Sequence, residues 1–471
     1  MKIKLFILFI FLPLAMFCQE KNAQELAGSW MGTISTDNFS LRVIFRFVET
    51  KDRMRVYLDS PDQGLKDLPL DKVWISDDSV FVDATQSLNA GIIFSGKILP
   101  GDSVISGKWG GAMDLDIMRT DYVFTLKTNT EPAIEGYKII KLIETTPLKD
   151  QQITGTCWSY ATTSFIETEA IRAGKKPVIL SPMFYVTPTY IDKGEKYIRM
   201  NGKSTFSEGD LTFSVLKAYN EFGAIPEFVY NGNIDSPAIH DHSEMNRDLL
   251  NKVQYFVKEG MGKMTRAGYR NELQGILTKT MGTAPDTFLF ENKIYTPVTF
   301  AKEMVGINTG DYIEITSYTH HPFYSKCILE IESNWNNNYY LNLPLSDLTY
   351  AVDYALSHNY SVCWDGDIYE GYNDGFAVLP DSILSISQEE RQTAFDNLTT
   401  KDVHNMHIIG IAENKKGEPF YIVKNSSDAK NCGGYLYMSK PFLQLKTISV
   451  MINKNGLPSS MQNKIKVSNR I

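Results

Sequence analysis

Between residues 41 and 48, Leu41, Val43, Phe45 and Phe47 alternate with Arg42, Ile44, Arg46 and Val48. This period-2 pattern, with one face consistently apolar, predicts a half-buried β-strand. Turn clusters separate such runs at Thr50-Lys51-Asp52, Ser60-Pro61-Asp62-Gln63-Gly64, Asp77-Asp78-Ser79 and Pro100-Gly101-Asp102. Short strands at this spacing predict a small antiparallel all-β barrel or sandwich over residues 24–127. The segment holds neither Cys nor His, so a nucleophile with a histidine base cannot be assembled within it. It is expected to be a binding or packing module. Thr128-Asn129-Thr130-Glu131-Pro132 then predicts a polar linker over 128–133.

From residue 134 to 465 helical and strand patterns mix, which predicts an α+β domain. After Cys157, the residues Trp158, Ala161, Phe165 and Ile171 form a stripe close to helical spacing, with Gly174 as a stop. Cys157 therefore opens a helix. Near the other end, His404–Ala412 and Phe420–Asn425 read as two strands joined by the turn Glu413-Asn414-Lys415-Lys416-Gly417-Glu418. An antiparallel hairpin of that form sets His404 and Asn425 roughly across from each other, to within one or two residues.

The 471 residues carry 47 basic and 55 acidic side chains, a net charge of −8, with 43% hydrophobic content. This is ordinary globular composition, with no general attraction to nucleic acid or to an anionic membrane. Lys2 and Lys4 precede the apolar run Leu5–Phe17, too short to cross a bilayer core of roughly 30 Å. It reads as a signal peptide over 1–19, implying export to the periplasm or the exterior. Lipid attachment at Cys18 is the weaker alternative, because bulky Phe17 precedes it. No stable membrane span is expected. Cys157, Cys327, Cys363 and Cys432 show no disulfide or zinc spacing.

A cysteine acts as its thiolate, and an ordinary thiol is mostly protonated at neutral pH. A helix N-terminus and an imidazolium both favour the thiolate, so Cys157 with His404 can form a nucleophile and base. The amide oxygen of Asn425 can hold the other imidazole nitrogen. The Cys157 backbone N–H and the Gln151 side-chain amide can hold an oxyanion, with Gly155 letting the loop approach closely.

Asp150-Gln151-Gln152-Ile153-Thr154-Gly155-Thr156-Cys157-Trp158-Ser159-Tyr160-Ala161 resembles the nucleophile segment of papain-like cysteine peptidases. His404-Asn405-Met406 with Gly410 resembles the histidine segment, and Lys424-Asn425-Ser426 the asparagine segment. Within the family the chain is similar to the bleomycin hydrolase and aminopeptidase C branch, with Thr154 where other members carry cysteine. Further likeness lies in Leu180-Ser181-Pro182-Met183-Phe184, Glu195-Lys196-Tyr197-Ile198-Arg199-Met200 and Phe206-Ser207-Glu208-Gly209-Asp210. The stretch from about Leu26 to Leu126 resembles a small β-domain that precedes hydrolase domains in secreted bacterial proteins. That likeness rests on Gly28-Ser29-Trp30-x-Gly32, Leu58-Asp59-Ser60-Pro61-Asp62-Gln63-Gly64 and Gly107-x-Trp109.

The resemblance implies a papain-like domain with a helical half and a β half, a peptide substrate, aminopeptidase activity, homo-oligomers in many members, and catalytic roles for Cys157, His404, Asn425 and Gln151. Endopeptidase action, acyl transfer to an amine, and a catalytically silent peptide-binding relative stay open. Two departures stand out. Ser427 and Asp428 replace the Trp-Gly that follows the asparagine, the Trp being a shield for the Asn–His hydrogen bond; Trp335 and Trp364 are candidate substitutes. The tail Asn469-Arg470-Ile471 lacks likeness to the branch's C-terminus, whose carboxylate helps select free amines.

No metal or organic cofactor is implied. His240-Asp241-His242, with His320-His321 as an added ligand pair, is a weak metal pattern beside Pro237 and Ser243. His407 is expected to be structural, facing away from His404, and is the fallback base. Trp364-Asp365-Gly366-Asp367 reads as a turn near the cleft, with a carboxylate for a substrate ammonium as the alternative. Lys401-Asp402 and Lys415-Lys416 read as solvated charges at strand ends.

Overall fold

The computed structural model describes residues 26–36, 40–49, 54–63, 65–85, 87, 91–101, 103–121, 135–234, 239–260, 265–290, 293–373, 375–427 and 433–468. The expected leader at 1–19 with Cys18, the turn Thr50-Lys51-Asp52, the linker 128–133, Pro237, Asp428, Cys432 and the tail Asn469-Arg470-Ile471 lie outside the described residues. The chain divides into two units, Met1–Leu126 with Thr287–Tyr295, and Lys127–Asp286 with Thr296–Ile471.

The first unit contains β1 (Gly28–Ser35), β2 (Ser40–Glu49), β3 (Met54–Ser60), β4 (Leu65–Pro69), β5 (Lys72–Ser76), β6 (Ser79–Asp83), β7 (Ile92–Ile98), β8 (Val104–Trp109) and β9 (Met113–Arg119). They form one antiparallel sheet in the order β4-β3-β2-β1-β9-β8-β7-β6-β5. The edge strands β4 and β5 are separated in sequence only by Leu70 and Asp71. So short a connection forces the sheet to curl until its edges approach, and of the two expected architectures the open barrel is the one formed. Val43, Phe45 and Phe47, the predicted apolar face, are buried, and the Phe45 and Phe94 rings lie 5.2 Å apart. A hairpin missed in the sequence also belongs here: Phe288–Phe290 with Lys293–Tyr295.

In the second unit a strand, β10 (Tyr137–Leu142), precedes five helices: α1 (Cys157–Arg172), α2 (Met183–Arg199), α3 (Thr212–Phe222), α4 (Ser243–Tyr255) and α5 (Arg266–Met281). Cys157 does open α1, and Gly174, at φ +81°, ends the segment in a conformation that favours glycine. The helix is buried on every side from Cys157 to Ala170, so the predicted stripe is only part of its contact surface. Several of its polar residues are partnered: Ser159 donates to Pro182 O at 2.6 Å, Glu167 pairs with Lys149 at 2.6 Å, and Glu169 accepts from Asn453 at 2.8 Å, whereas the hydroxyls of Thr163 and Thr168 are buried without a partner.

Helix α1 packs on a large mixed sheet. The strands of that sheet that position the site are Val362–Gly366, His404–Asn414, Pro419–Lys424 and Thr447–Asn453. Val362–Gly366 runs between the other two neighbours, pairing with both His404–Asn414 and Thr447–Asn453. This corrects the turn expected at Trp364-Asp365-Gly366: Trp364 and Asp365 are interior strand residues. The hairpin is as expected, with His407 opposite Lys424 and a bulge between Ile408 and Gly410. Trp364, Met406, Ile408, Val423 and Val450 share one core cluster on the face away from α1.

Candidate active site

The loop entering α1 is tied to the end of the hairpin. Gln151 N donates to Ser426 O at 2.8 Å, and Ser426 Oγ donates to Gln151 Oε1 at 2.6 Å. Gln151 Nε2 donates to Thr154 O at 2.6 Å, and its second amide hydrogen stays available. Gly155 N donates to Glu208 Oε2 at 2.6 Å, and a Cβ at Gly155 would come within 2.7 Å of Glu208 Cβ. The close approach expected at Gly155 is thus made by the Phe206-Ser207-Glu208-Gly209-Asp210 segment, which also accepts from Trp158 Nε1 at 3.0 Å through Glu208 O.

At the start of the strand His404–Asn414, His404 Nε2 lies 2.7 Å from Asn425 Oδ1. Asn425 is 6% exposed, and its Nδ2 donates to Ser427 Oγ at 3.0 Å and to Tyr372 OH at 3.4 Å. Neither expected tryptophan makes this contact. Trp364 Nε1 donates to Thr447 Oγ1 at 2.7 Å and Trp335 Nε1 to Asp210 Oδ2 at 2.9 Å. Tyr372 and Ser427 do the work of fixing the amide, and neither carries a sequence signal for it.

Cys157, 7% exposed, directs its Sγ to Oδ1 of Asn405, the neighbour of His404, at 3.9 Å. The structure therefore brings Gln151, Cys157, His404 and Asn425 into one locality through Ser426 and Asn405. Burial pushes the Cys157 thiol up to about 12, opposed by the Asn405 backbone and reinforced by Asp402 and Asp365. Burial lowers His404, while its bond to Asn425 acts the other way.

Asp402 was expected to be a solvated charge, and this is corrected. Burial raises it to about 6, opposed by a hydrogen bond with Asp365 and reinforced by Asp210, and Asp365 is driven well above the usual carboxylate range by burial and by Asp402. The sequence carried no sign that these two acids converge, since Asp365 lies in the strand Val362–Gly366 and Asp402 in the segment leading into His404–Asn414.

His407 faces α1, with Nδ1 3.0 Å from Ser164 Oγ and its ring 5.9 Å from that of Phe165. Ser164 is two helical turns from Cys157, about 10 Å along the axis, so His407 stands away from the thiol. His240-Asp241-His242 runs beside the Gln151 loop, with Ile153 N donating to His240 O at 3.1 Å. Both ring nitrogens of His242 are buried without partners, and burial lowers it to about 4. His320 and His321 do not join that segment. They meet Glu330, His320 Nε2 at 3.1 Å and His321 Nε2 at 3.0 Å, the one group with metal-ligand geometry among the described residues. Gln392 Nε2 faces His320 Nδ1 at 3.0 Å while Gln392 Oε1 accepts from Thr319 N at 2.6 Å. That orientation leaves the His320 proton on Nε2, where a metal would need a lone pair.

A model of the Peptidase C1-like family matches residues 219–470, more than half of the chain. The matched range takes in His404 and Asn425 and leaves Gln151 and Cys157 outside it. The crystal structure of PepW from Lactobacillus rhamnosis HN001, determined as the selenomethionine derivative, is similar at 19% sequence identity and a TM-score of 0.57. The match covers 73% of this chain and 88% of that one, and at such identity it concerns the fold alone. No curated protein matches the chain. Among the described residues no helix is long and apolar enough to cross a membrane.

Proposed function

Because the chain belongs to the Peptidase C1-like family, we propose that it is a cysteine peptidase with Cys157 as nucleophile, His404 as acid and base, Asn425 as the residue that orients the imidazole, and Gln151 in the oxyanion hole. The observation that carries this reading is the 2.7 Å bond between His404 and Asn425 beside the helix that Cys157 opens. The Cys157 sulfur attacks the peptide carbonyl and a C–S bond forms. The oxyanion is held by the Cys157 N–H and the free hydrogen of Gln151 Nε2. His404, having taken the thiol proton, gives it to the leaving amine as the C–N bond breaks. Water then gives a proton to His404 and attacks the thioester, releasing the acid and restoring the thiol.

Removal of residues from free N-termini is the form of this activity we propose, on the likeness to the bleomycin hydrolase and aminopeptidase C branch. The run Leu5–Phe17 supports export of the enzyme. The test is hydrolysis of a panel of aminoacyl fluorogenic amides, with and without N-terminal blocking, by wild type and Cys157→Ala. Cleavage of free-amine substrates alone, abolished by the substitution, is expected. Cleavage of blocked peptides as well would make the enzyme an endopeptidase. No turnover, together with no labelling of Cys157 by an epoxysuccinyl peptide, would replace the enzyme with a silent peptide-binding protein.

A further inference from the structure

Asp365 pairs directly with Asn405 across two antiparallel strands, and such partners project to the same face. Asn405 reaches Cys157 at 3.9 Å, so Asp365 lies on the nucleophile's side of the sheet. It is 1% exposed, and its carboxylate oxygens have no well-formed hydrogen bond, only the neighbouring Asp402 carboxyl, with which Asp365 can share a proton, and the Gly366 backbone. Asp402 stands beside it, partly open to solvent, and both acids act on the Cys157 thiol.

The surrounding charges do not neutralise the pair. Lys193 is the cation that acts on Asp402, but its Nζ is held by the carbonyls of Ser207 and Gly209 and lies 3.7 Å from Asp210 Oδ2. Asp210 adds further negative charge nearby, while burial raises Glu314 to about 8 and keeps it mostly protonated at neutral pH. A buried carboxylate without donors is destabilising, and a bound ligand that supplies the donors removes the penalty. We infer that Asp365 and Asp402 form a receptor for a protonated nitrogen of the peptide substrate, close to the scissile bond. Asp402 meets the ammonium or guanidinium at the entrance and Asp365 receives it at the floor. This inference rests on the peptidase reading, and it names the feature of the substrate that the site selects.

The cation can come from the substrate's free N-terminus or from a lysine or arginine side chain. Calorimetric binding to the full chain carrying Cys157→Ala, which prevents turnover, separates the two. Four matched peptides serve as probes: free or acetylated at the N-terminus, and with lysine or norleucine next to the scissile bond. The expected result is binding about tenfold or more tighter for cation-bearing peptides than for acetyl-norleucine, with that preference reduced by adding either Asp365→Asn or Asp402→Asn. Tight binding of the free-amine norleucine peptide assigns the receptor to the N-terminus; tight binding of acetyl-lysine assigns it to the side chain. Equal binding of charged and uncharged peptides, or a preference unchanged in both Asn variants, overturns the receptor and leaves the peptidase reading standing. Failure of all four peptides to bind overturns both. Near-ultraviolet circular dichroism identifies any variant that has lost its fold, and the other Asn variant then decides.

Discussion

Ser427 Oγ accepts a hydrogen bond from Asn425 Nδ2 at 3.0 Å. With Tyr372 OH on the same nitrogen at 3.4 Å, the amide is turned so that its oxygen faces His404. The position where papain-like relatives carry a shielding tryptophan thus acts here by orientation. Ser427→Ala is expected to lower kcat/KM for an aminoacyl amide by about 3- to 10-fold, the worth of one net hydrogen bond. Asn425→Ala is expected to cost more. Steady-state kinetics on both variants checks this, and an unaffected Ser427→Ala would assign the orientation to Tyr372 alone.

The Cys157 thiol is raised by burial first, and then by Asp402 and Asp365. A raised thiol stays protonated at neutral pH, so its alkylation by iodoacetamide is expected to keep climbing between about pH 7 and pH 10. Removing one negative neighbour with Asp402→Asn should move the curve to lower pH. A rate already level in mildly acidic solution would show instead that His404 holds the proton in the resting site.

Gly155 has no room for a side chain, since the added Cβ would meet Glu208 Cβ at 2.7 Å. In Gly155→Ala the loop must retreat from Glu208, carrying Gln151 and the first turn of α1 out of register. We expect at least tenfold slower hydrolysis, the order of loss that misplacing a reacting group produces, with the melting temperature changing little. Parallel kinetics and calorimetry separate this from general destabilisation.

Both carboxyls of the Asp365–Asp402 pair are raised in the folded chain, Asp402 from 3.8 to about 6. A raised acid favours folding while it is protonated, so that contribution is complete below the unfolded value and is lost as pH rises through the folded one. The melting temperature of the wild type is therefore expected to drop as pH rises from about 4 to about 7. Asp365→Asn should flatten this drop and leave the variant the more stable protein in alkaline solution. Thermal unfolding across that range, without ligand, is the measurement; parallel curves would show that Asp365 titrates alike in the folded and unfolded chain.

Local pattern determined much of this protein. Alternation at Leu41–Val48, the stripe after Cys157 and the turn between two β-rich runs are short-range signals, and each produced its element because burial of an apolar face acts over neighbouring residues. The order of Gln151, Cys157, His404 and Asn425 pointed to their chemistry for the same reason, each lying in a compact segment of recognisable composition. What the sequence did not determine was everything that depends on which strand lies beside which. Asp365 and Asp402 looked like a turn residue and a surface charge, and became a pair only because the strand holding Asp365 lies beside the strand that the Asp402 segment enters. Tyr372 and Ser427 acquired their roles from the same long-range assembly. Burial and proximity, which set hydrogen bonding and ionisation, are properties of the packed chain, and no spacing along it encodes them directly.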